Sequence, residues 1–301
     1  MPAETAQDDD LDAAARTFSA VRPRLFGIAY RMLGTVADAE DIVQDTWERW
    51  QRTDRSEVRE PAAFLATAAT RLAINQATSA RARRETYIGP WLPEPVDTSA
   101  DPLLGAERAE ALSSAVLLLL EKLPPTERGA YVLRQAFDYS YAQIADIIQG
   151  SEANARQLVS RARKHLAEEQ RGREVDQAEQ RRMLAAFLQA AQSGDIAELE
   201  RMFTDDIVSY SDGGGLARAS RIPVVSSERV AKYLRAFHTR FWEGSIHIVD
   251  SNGAPAAVLV RDGAVVAHLA LDVTGEGIRH LLWTLNPEKL EHLPVPGEAP
   301  E

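Results

Sequence analysis

The clearest chemical signal in the chain is a set of cationic and amide side chains on one predicted helix. It lies in the stretch YSYAQIADIIQGSEANARQLVSRARKHL, residues 139–166. Ala155, Leu158, Val159, Ala162 and Leu166 form an apolar stripe. At roughly 100° per residue, Arg156, Gln157, Ser160, Arg163 and Lys164 fall on the opposite face. Guanidinium, amide, hydroxyl and ammonium groups together reach both phosphates and base edges in a major groove. The preceding residues place this helix. Tyr141, Ile144, Ala145 and Ile148 recur at i, i+3, i+4 and i+7, one face of a shorter helix. Gly150 is expected to supply the positive φ of a sharp turn, and Ser151 the N-cap that follows. Helix, tight turn and basic second helix make the pattern of a helix-turn-helix. The bland alternative is a solvated amphipathic helix.

Three further groups of side chains could carry function. Arg71, Asn75, Arg81, Arg83 and Arg84 lie on one predicted helix and its end, a choice between a terminal charge cluster and a second nucleic-acid contact. Asp38, Asp41, Asp45 and Glu48 recur along another helix opposite its tryptophans, either as a solvated face or as a docking surface for a basic partner. His268, Asp272 and His280 lie on neighbouring strand-like runs, where an Asp–His pair directed into a pocket would suit general acid–base work. Such pairs on a sheet are also commonly structural, and no catalytic residue, metal or cofactor is assigned from them.

The elements that hold these groups fall into segments. Residues 11–85 are predicted as helices with faces Leu25/Ile28/Ala29/Met32, Ala39/Ile42/Val43/Thr46/Trp47/Trp50 and Phe64/Leu65/Ala68/Leu72. Residues 86–106 are rich in Pro and Asp and read as a linker. Residues 107–170 are helical again and end in the helix-turn-helix. From 176 to 293 the texture changes. Helices near 176–191, 195–203 and 226–241 combine with strand-like runs separated by Asn252-Gly253, Asp262-Gly263 and Gly275-Glu276-Gly277. That pattern implies helices packed on one face of a curved antiparallel sheet.

The chain has 301 residues, a formal net charge of −11 and no cysteine. The charge argues against a protein that simply coats DNA, yet it is uneven. Asp8, Asp9, Asp10 and Asp12 make an acidic start expected to lack structure, while the Arg71–Arg84 segment is basic. Without cysteine there are no disulfides and no thiolate metal sites, consistent with a cytoplasmic location. No apolar h-region follows a basic start, so no signal peptide is expected. The longest apolar run, Ala115–Leu120, is too short to span a membrane.

At this point the motifs resemble a known family. RLFGIAYRMLGTVADAEDIVQDTWERW and AAFLATAATRLAINQATSARARRE resemble region 2 of an extracytoplasmic-function (ECF) sigma factor. LPPTERGAYVLRQAFDYSYAQIADIIQGSEANARQLVSRARKHL resembles region 4. WLPEP at 91–95, SDGGG at 211–215 and NPEKL at 286–290 are similar to hallmarks of members with a C-terminal SnoaL-like extension. The resemblance implies a multidomain chain, two all-α sigma domains followed by an α+β SnoaL-like cone. It implies no enzymatic activity, and partners in core RNA polymerase and promoter DNA. Asp38, Asp41, Gln44, Asp45, Trp47 and Glu48 would dock on the clamp helices of the polymerase's largest subunit, and region 4 on the flap. Arg71, Asn75, Arg81, Arg83 and Arg84, with the loop Thr53–Arg59, would engage the −10 element. Arg156, Gln157, Ser160, Arg161, Arg163 and Lys164 would lie on the −35 element.

The resemblance also implies that the extension controls the sigma domains in cis. Trp91, Pro93 and Pro95 of the linker, Asp212, Gly213, Gly214 and Gly215 of the loop, and Asn286, Pro287 and Lys289 near the end are its candidate regulatory contacts. Three adjacent glycines allow close approach of another segment, and two prolines stiffen the linker that would dock there. A flexible hairpin turn is the simpler alternative. Leu216-Ala217-Arg218 departs from the lysine expected soon after the glycines. A small ligand in the C-terminal domain is compatible with this fold. A different reading is a one-component regulator or enzyme, in which that domain binds or converts a metabolite.

Overall fold

The computed structural model describes residues 2–98, 113–169, 175–237 and 243–297, less the side chains of 2–10, 81, 82, 169, 236 and 237. The chain divides into two compact units. The first holds residues up to Arg83 together with Leu120–Leu166. The second holds the chain from Arg84 into the linker, Leu112–Leu119 and everything from Ala167.

The first unit is helical. Helix α1 spans Pro2–Leu33, α2 Val36–Arg52 and α3 Pro61–Glu85. The acidic start, expected to lack structure, is therefore the first part of α1. Gly34 ends that helix with φ +74° and an N–H on the Tyr30 carbonyl at 2.7 Å. Thr35 then caps α2 by accepting from the Asp38 N–H. Leu25, Ile28, Ala29, Met32, Ala39 and Ile42 are completely or almost completely buried, as the 3.6-residue spacing requires. The buried Trp50 satisfies its indole N–H on the Ala14 carbonyl at 3.2 Å.

After α4 (Ser114–Leu120), which falls almost wholly with the second unit, come α5 (Pro125–Ala136), α6 (Tyr141–Ile148) and α7 (Glu152–Glu169). Ser140 and Gln143 form a reciprocal capping box at the start of α6. The turn differs from expectation. Gln149, not Gly150, takes the left-handed conformation, with φ 56° and ψ 45°. The Gly150 N–H then reaches back to the Ala145 carbonyl at 2.9 Å. A Cβ on Gly150 would meet only the mobile end of a side chain, Asn154 Nδ2 at 3.0 Å. Ser151 accepts from the Asn154 N–H, the N-cap foreseen for α7.

Arginines tie these later helices to α1 and α3. The Arg128 guanidinium, 2 % exposed, donates to the Met32 carbonyl at the end of α1 and pairs with Glu121 at 2.7 Å. Arg71 of α3 donates from Nε to the Ile147 carbonyl and from Nη2 to that of Asp146, both at 2.8 Å. These are last-turn carbonyls of α6, which lack the i+4 donor of the helix interior. Arg24 of α1 donates to the Phe137 carbonyl and lies over the Phe137 and Tyr139 rings.

The second unit is α+β. Helices α8 (Gln177–Ser193), α9 (Ile196–Met202) and α10 (Ser227–Phe237) accompany six strands, β1 Phe203–Asp212, β2 Val224–Val225, β3 Ser245–Ser251, β4 Ala254–Arg261, β5 Ala264–Thr274 and β6 Gly277–Thr284. The sheet order is β2-β1-β6-β5-β4-β3. It is mixed, not wholly antiparallel, because β1 pairs parallel to β6. The chain returns through the hairpins from β3 to β6, so its last strand lies beside its first. Asn252 and Gly253, and Asp262 and Gly263, all have positive φ, as tight hairpins demand. One sheet face packs on the helices through Leu184, Phe187, Leu199, Ile207, Leu269, Leu281 and Trp283. The other carries Val258, covered by Leu290 and Leu293. Burial on both faces explains the unbroken apolar run in β4.

Candidate functional site

The basic helix α7 is built as its spacing demands. Ala155, Leu158, Val159, Ala162 and Leu166 are buried, while Arg156, Gln157, Ser160, Arg161, Arg163 and Lys164 are exposed. Several of these cations are pre-positioned. Arg156 pairs with Glu152 and lies over the Tyr141 ring. Arg161 pairs at 3.1 Å with Glu127, whose other carboxylate oxygen faces His165 at 3.0 Å. Gln135, with its amide oriented to accept, receives two bonds from Arg163.

The second basic group is divided in its commitments. Arg71 holds the end of α6, as described above. Asn75 is exposed on α3. Arg83 pairs with Asp38 at 3.1 Å, and Gln76 donates to the same carboxylate at 3.0 Å. Arg84 lies flat on Trp91, 3.5 Å from the ring centroid. The side chain of Arg81 lies outside the described residues. In the loop Thr53–Arg59, Arg55 folds back to the Trp50 carbonyl and ring.

On α2, Asp41, Gln44 and Asp45 are exposed and Glu48 half-buried, whereas Asp38 is held by Thr35, Gln76 and Arg83. Trp47 packs on Phe18 with ring centroids 5.0 Å apart. Beside the acidic face is a hollow of about 380 Å³ lined by Phe18, Arg22, Glu40, Asp41, Gln44 and Trp47. It offers apolar walls with an acidic rim.

The regulatory candidates converge within the second unit. Asp212, at the end of β1, is fully buried. Its carboxylate accepts from the Tyr87 hydroxyl at 2.6 Å, the Leu92 N–H at 2.9 Å, the Gly214 N–H at 3.1 Å and Lys289 Nζ at 2.7 Å. The Asp212 carbonyl accepts from the Leu285 and Asn286 N–H groups. One carboxylate thus joins the linker, its own loop and the end of the chain. A buried charge needs this many donors to offset its lost hydration.

Lys289 reaches Asp212 because Asn286 caps a short 3-10 turn, Pro287–Lys289, by accepting from the Glu288 N–H. Its ammonium also donates to the Leu92 carbonyl and faces the rings of Trp91 and Tyr87 at 4.3 and 5.2 Å. Trp91 is therefore a plate between two cations, Arg84 and Lys289. Burial lowers the Lys289 pKa, with Asp212 opposing it. Burial, reinforced by Asp212, raises that of Tyr87. Pro93 and Pro95 are buried where they have no N–H to satisfy.

The glycines are required by proximity. A Cβ on Gly214, at φ +59°, would lie 2.4 Å from Asn286 Nδ2, and one on Gly213 would lie 2.5 Å from the Ala217 carbonyl oxygen. The structure adds residues that sequence reasoning missed. Tyr87 also accepts from Asn286 Nδ2 at 3.0 Å. Asn252 exchanges two bonds with Val96, its N–H donating to the Val96 carbonyl and its side-chain oxygen accepting from the Val96 N–H. Thr98 adds a bond to Gly253. The Asn-Gly dipeptide had been read only as a turn.

His268, Asp272 and His280 do not point into the helix-covered side of the cone. In the register, His268 pairs with Thr284 and Val258, and Asp272 with His280, while the odd-numbered Leu269 and Leu271 face the helices. His268 is 2 % exposed, and burial pushes its pKa down to about 3. His280 and Asp272 form a cross-strand pair at 2.7 Å. Among the described residues, no group of three or more His, Cys, Asp or Glu could hold a metal ion. No helix there is long and apolar enough to cross a membrane.

The chain matches the family models "Sigma-70 region 2" over residues 17–83 and "Sigma-70, region 4" over 113–166. It is 38% identical over 231 residues to the ECF RNA polymerase sigma factor SigJ of Mycobacterium tuberculosis, covering 75% of this chain and 74% of the relative. The chain belongs to the ECF RNA polymerase sigma factors. The probable ECF sigma factor SigI of the same species is 29% identical over 294 residues, covering 96% of this chain and 97% of the relative. The crystal structure of the SigJ sigma factor superposes with a TM-score of 0.75 at 32% identity, over 92% of this chain and 98% of that one. The ECF sigma fold therefore extends past regions 2 and 4 to the SnoaL-like cone. As a member of this family the chain binds core RNA polymerase and recognises −10 and −35 promoter elements.

Proposed function

We propose that this sigma factor is controlled in cis, through docking of its linker on its own SnoaL-like domain. The observation that carries the reading is Asp212, which binds Tyr87 and Leu92 of the linker and Lys289 near the chain end from one buried carboxylate. The linker joins regions 2 and 4, so whatever fixes it limits the spacing those regions can adopt on a promoter. Held, it opposes the two-point grip that tethered modules need; released, it permits it.

Within that reading, Arg156, Gln157, Ser160, Arg161, Arg163 and Lys164 contact the −35 element. Arg71, Asn75, Arg81, Arg83 and Arg84 serve the −10 element. Arg71 and Arg84 must then leave the α6 carbonyls and Trp91. Asp41, Gln44, Asp45, Trp47 and Glu48, with Asp38 as their N-terminal support, dock on the clamp helices of the largest polymerase subunit, and region 4 on the flap. The protein works in the cytoplasm and performs no chemistry of its own.

Run-off transcription with purified core polymerase tests the proposal. Lys289→Met leaves the Asp212 carboxylate buried without its cation, a defect on the order of 3–5 kcal/mol. It is expected to change promoter-dependent transcript yield while core binding stays constant. Trp91→Ala should act in the same direction. Unchanged transcription in both variants would sink the reading.

A further inference from the structure

We infer that the glycine loop of the C-terminal domain carries a binding site for a small amphiphilic anion, a phosphate or carboxylate head on a short apolar body. The inference rests on the cis-control reading only for its consequence, not for the binding itself. Just outside the Asp212 cluster is a hollow of about 230 Å³ lined by Ile88, Ser211, Gly213, Gly215, Arg218 and Arg221. It is smaller than most drug-sized sites. A compact head and a few carbons fit it.

The charge at the hollow has one sign. No carboxylate lines it, and among the described residues neither Arg218 nor Arg221 forms a hydrogen bond or ion pair. Three other exposed arginines in this domain are paired, Arg181 with Asp250, Arg182 with Glu179 and Arg201 with Glu198. In a chain of net charge −11, Arg218 and Arg221 bring two guanidiniums without a carboxylate partner to the lining of one hollow. Their planar forks match the oxygens of phosphate or carboxylate.

The rim is apolar. Ile88 lines the hollow, Leu216 lies within the loop that walls it, and Ile222 follows Arg221. These are three of the six large hydrophobic side chains exposed among the described residues, Leu216 at 61 % and Ile222 at 72 %. A bare inorganic anion would leave these side chains in water, whereas an attached apolar body can cover them. The loop is shaped rather than slack. A Cβ on Gly215 would lie 2.9 Å from Ile88 Cδ1, and the Ser220 hydroxyl donates to the Ile222 carbonyl at 2.6 Å.

An anionic head could also be presented by a lipid surface. The net charge opposes approach to such a surface, so a free small molecule is the assigned occupant. Its consequence follows from the walls. Ile88 and Gly89 belong to the linker, while Arg218 and Arg221 belong to the loop. A ligand touching both favours the docked linker by its differential affinity for that state.

Calorimetric titration of the full chain with octyl phosphate tests this without reference to transcription. Saturable binding is expected, at least about tenfold tighter than inorganic phosphate because of the buried methylenes. It should be lost in Arg218→Ala/Arg221→Ala and weakened in Leu216→Ser/Ile222→Ser, while Arg201→Ala binds as the parent does. A thermal melt of each variant confirms folding. Absence of saturable binding, or equal binding by the double arginine variant, overturns the proposal. So does arginine-dependent capture by phosphatidylglycerol vesicles without binding of free octyl phosphate, which assigns the site to a membrane. A negative titration leaves the cis-control reading intact, since that reading is judged by Lys289→Met in transcription.

Discussion

Single side chains in this protein are committed by burial as much as by charge. His268 shows the consequence most directly. Its folded pKa is depressed from the ordinary 6.5 to about 3, so below 6.5 the unfolded chain binds a proton that the folded chain refuses. The sign is therefore destabilising toward acid. Stability is fully present above pH 6.5 and falls as pH drops toward 3. Between pH 7.5 and 5.5 the loss from this one group is on the order of 1 kcal/mol. Denaturant unfolding at the two pH values should show it, and His268→Leu should flatten that part of the dependence. An equally steep fall in the variant would show that another group is responsible. The sequence did not reveal this role. It placed His268, Asp272 and His280 on neighbouring strands, but β4 between β3 and β5 is apolar on both faces. Alternation alone could not say which face the helices cover.

At the scale of elements, capping and close approach set what each piece can do. The recognition helix was legible almost residue by residue, because an amphipathic helix writes its buried stripe into its spacing. Its turn was less so, since Gln149 adopts the left-handed conformation expected of Gly150. The parallel pairing of β1 with β6 was invisible, because periodicity describes a strand and not its neighbour. For the exposed face of α7, Arg156→Ala/Lys164→Ala should weaken promoter binding and reduce the slope of log affinity against log salt by about 2. Fluorescence anisotropy across a salt series reads the slope. Equal loss of core polymerase affinity would place the face wrongly. For the loop, Gly214→Ala combines positive φ with a Cβ driven into Asn286. It should release the linker, seen as faster hydrogen exchange at Leu92 and Val96, with the helical unit unchanged.

For the molecule as a whole, the net charge of −11 coexists with the exposed basic face of α7, so binding to DNA away from polymerase is disfavoured by the average and permitted locally. The domain order was readable from composition and motif order. The linker's attachment was readable only in part. Trp91, Asp212 and Lys289 stood out by resemblance, but Tyr87 and Asn252 carried no periodic or compositional mark. Ending the chain before Asn286 removes Lys289 and the cap that aims it. Such a truncation should free the linker and alter transcription in the same direction as Lys289→Met. If it behaves as the full chain does, the end of the protein is not the restraint.

The Tyr87–Asn286 bond joins residues 199 positions apart. During synthesis the linker leaves the ribosome long before the residue that secures it exists. At roughly 5–20 residues per second that interval is on the order of 10–40 seconds. Region 4 is complete by residue 166, so for the last 120 residues of that interval, on the order of 6–24 seconds, both promoter-reading regions exist with the linker unsecured. If the docked linker restrains promoter binding as proposed, a newly made copy passes through an unrestrained interval, and the rate of translation becomes a variable in how much of the factor is active.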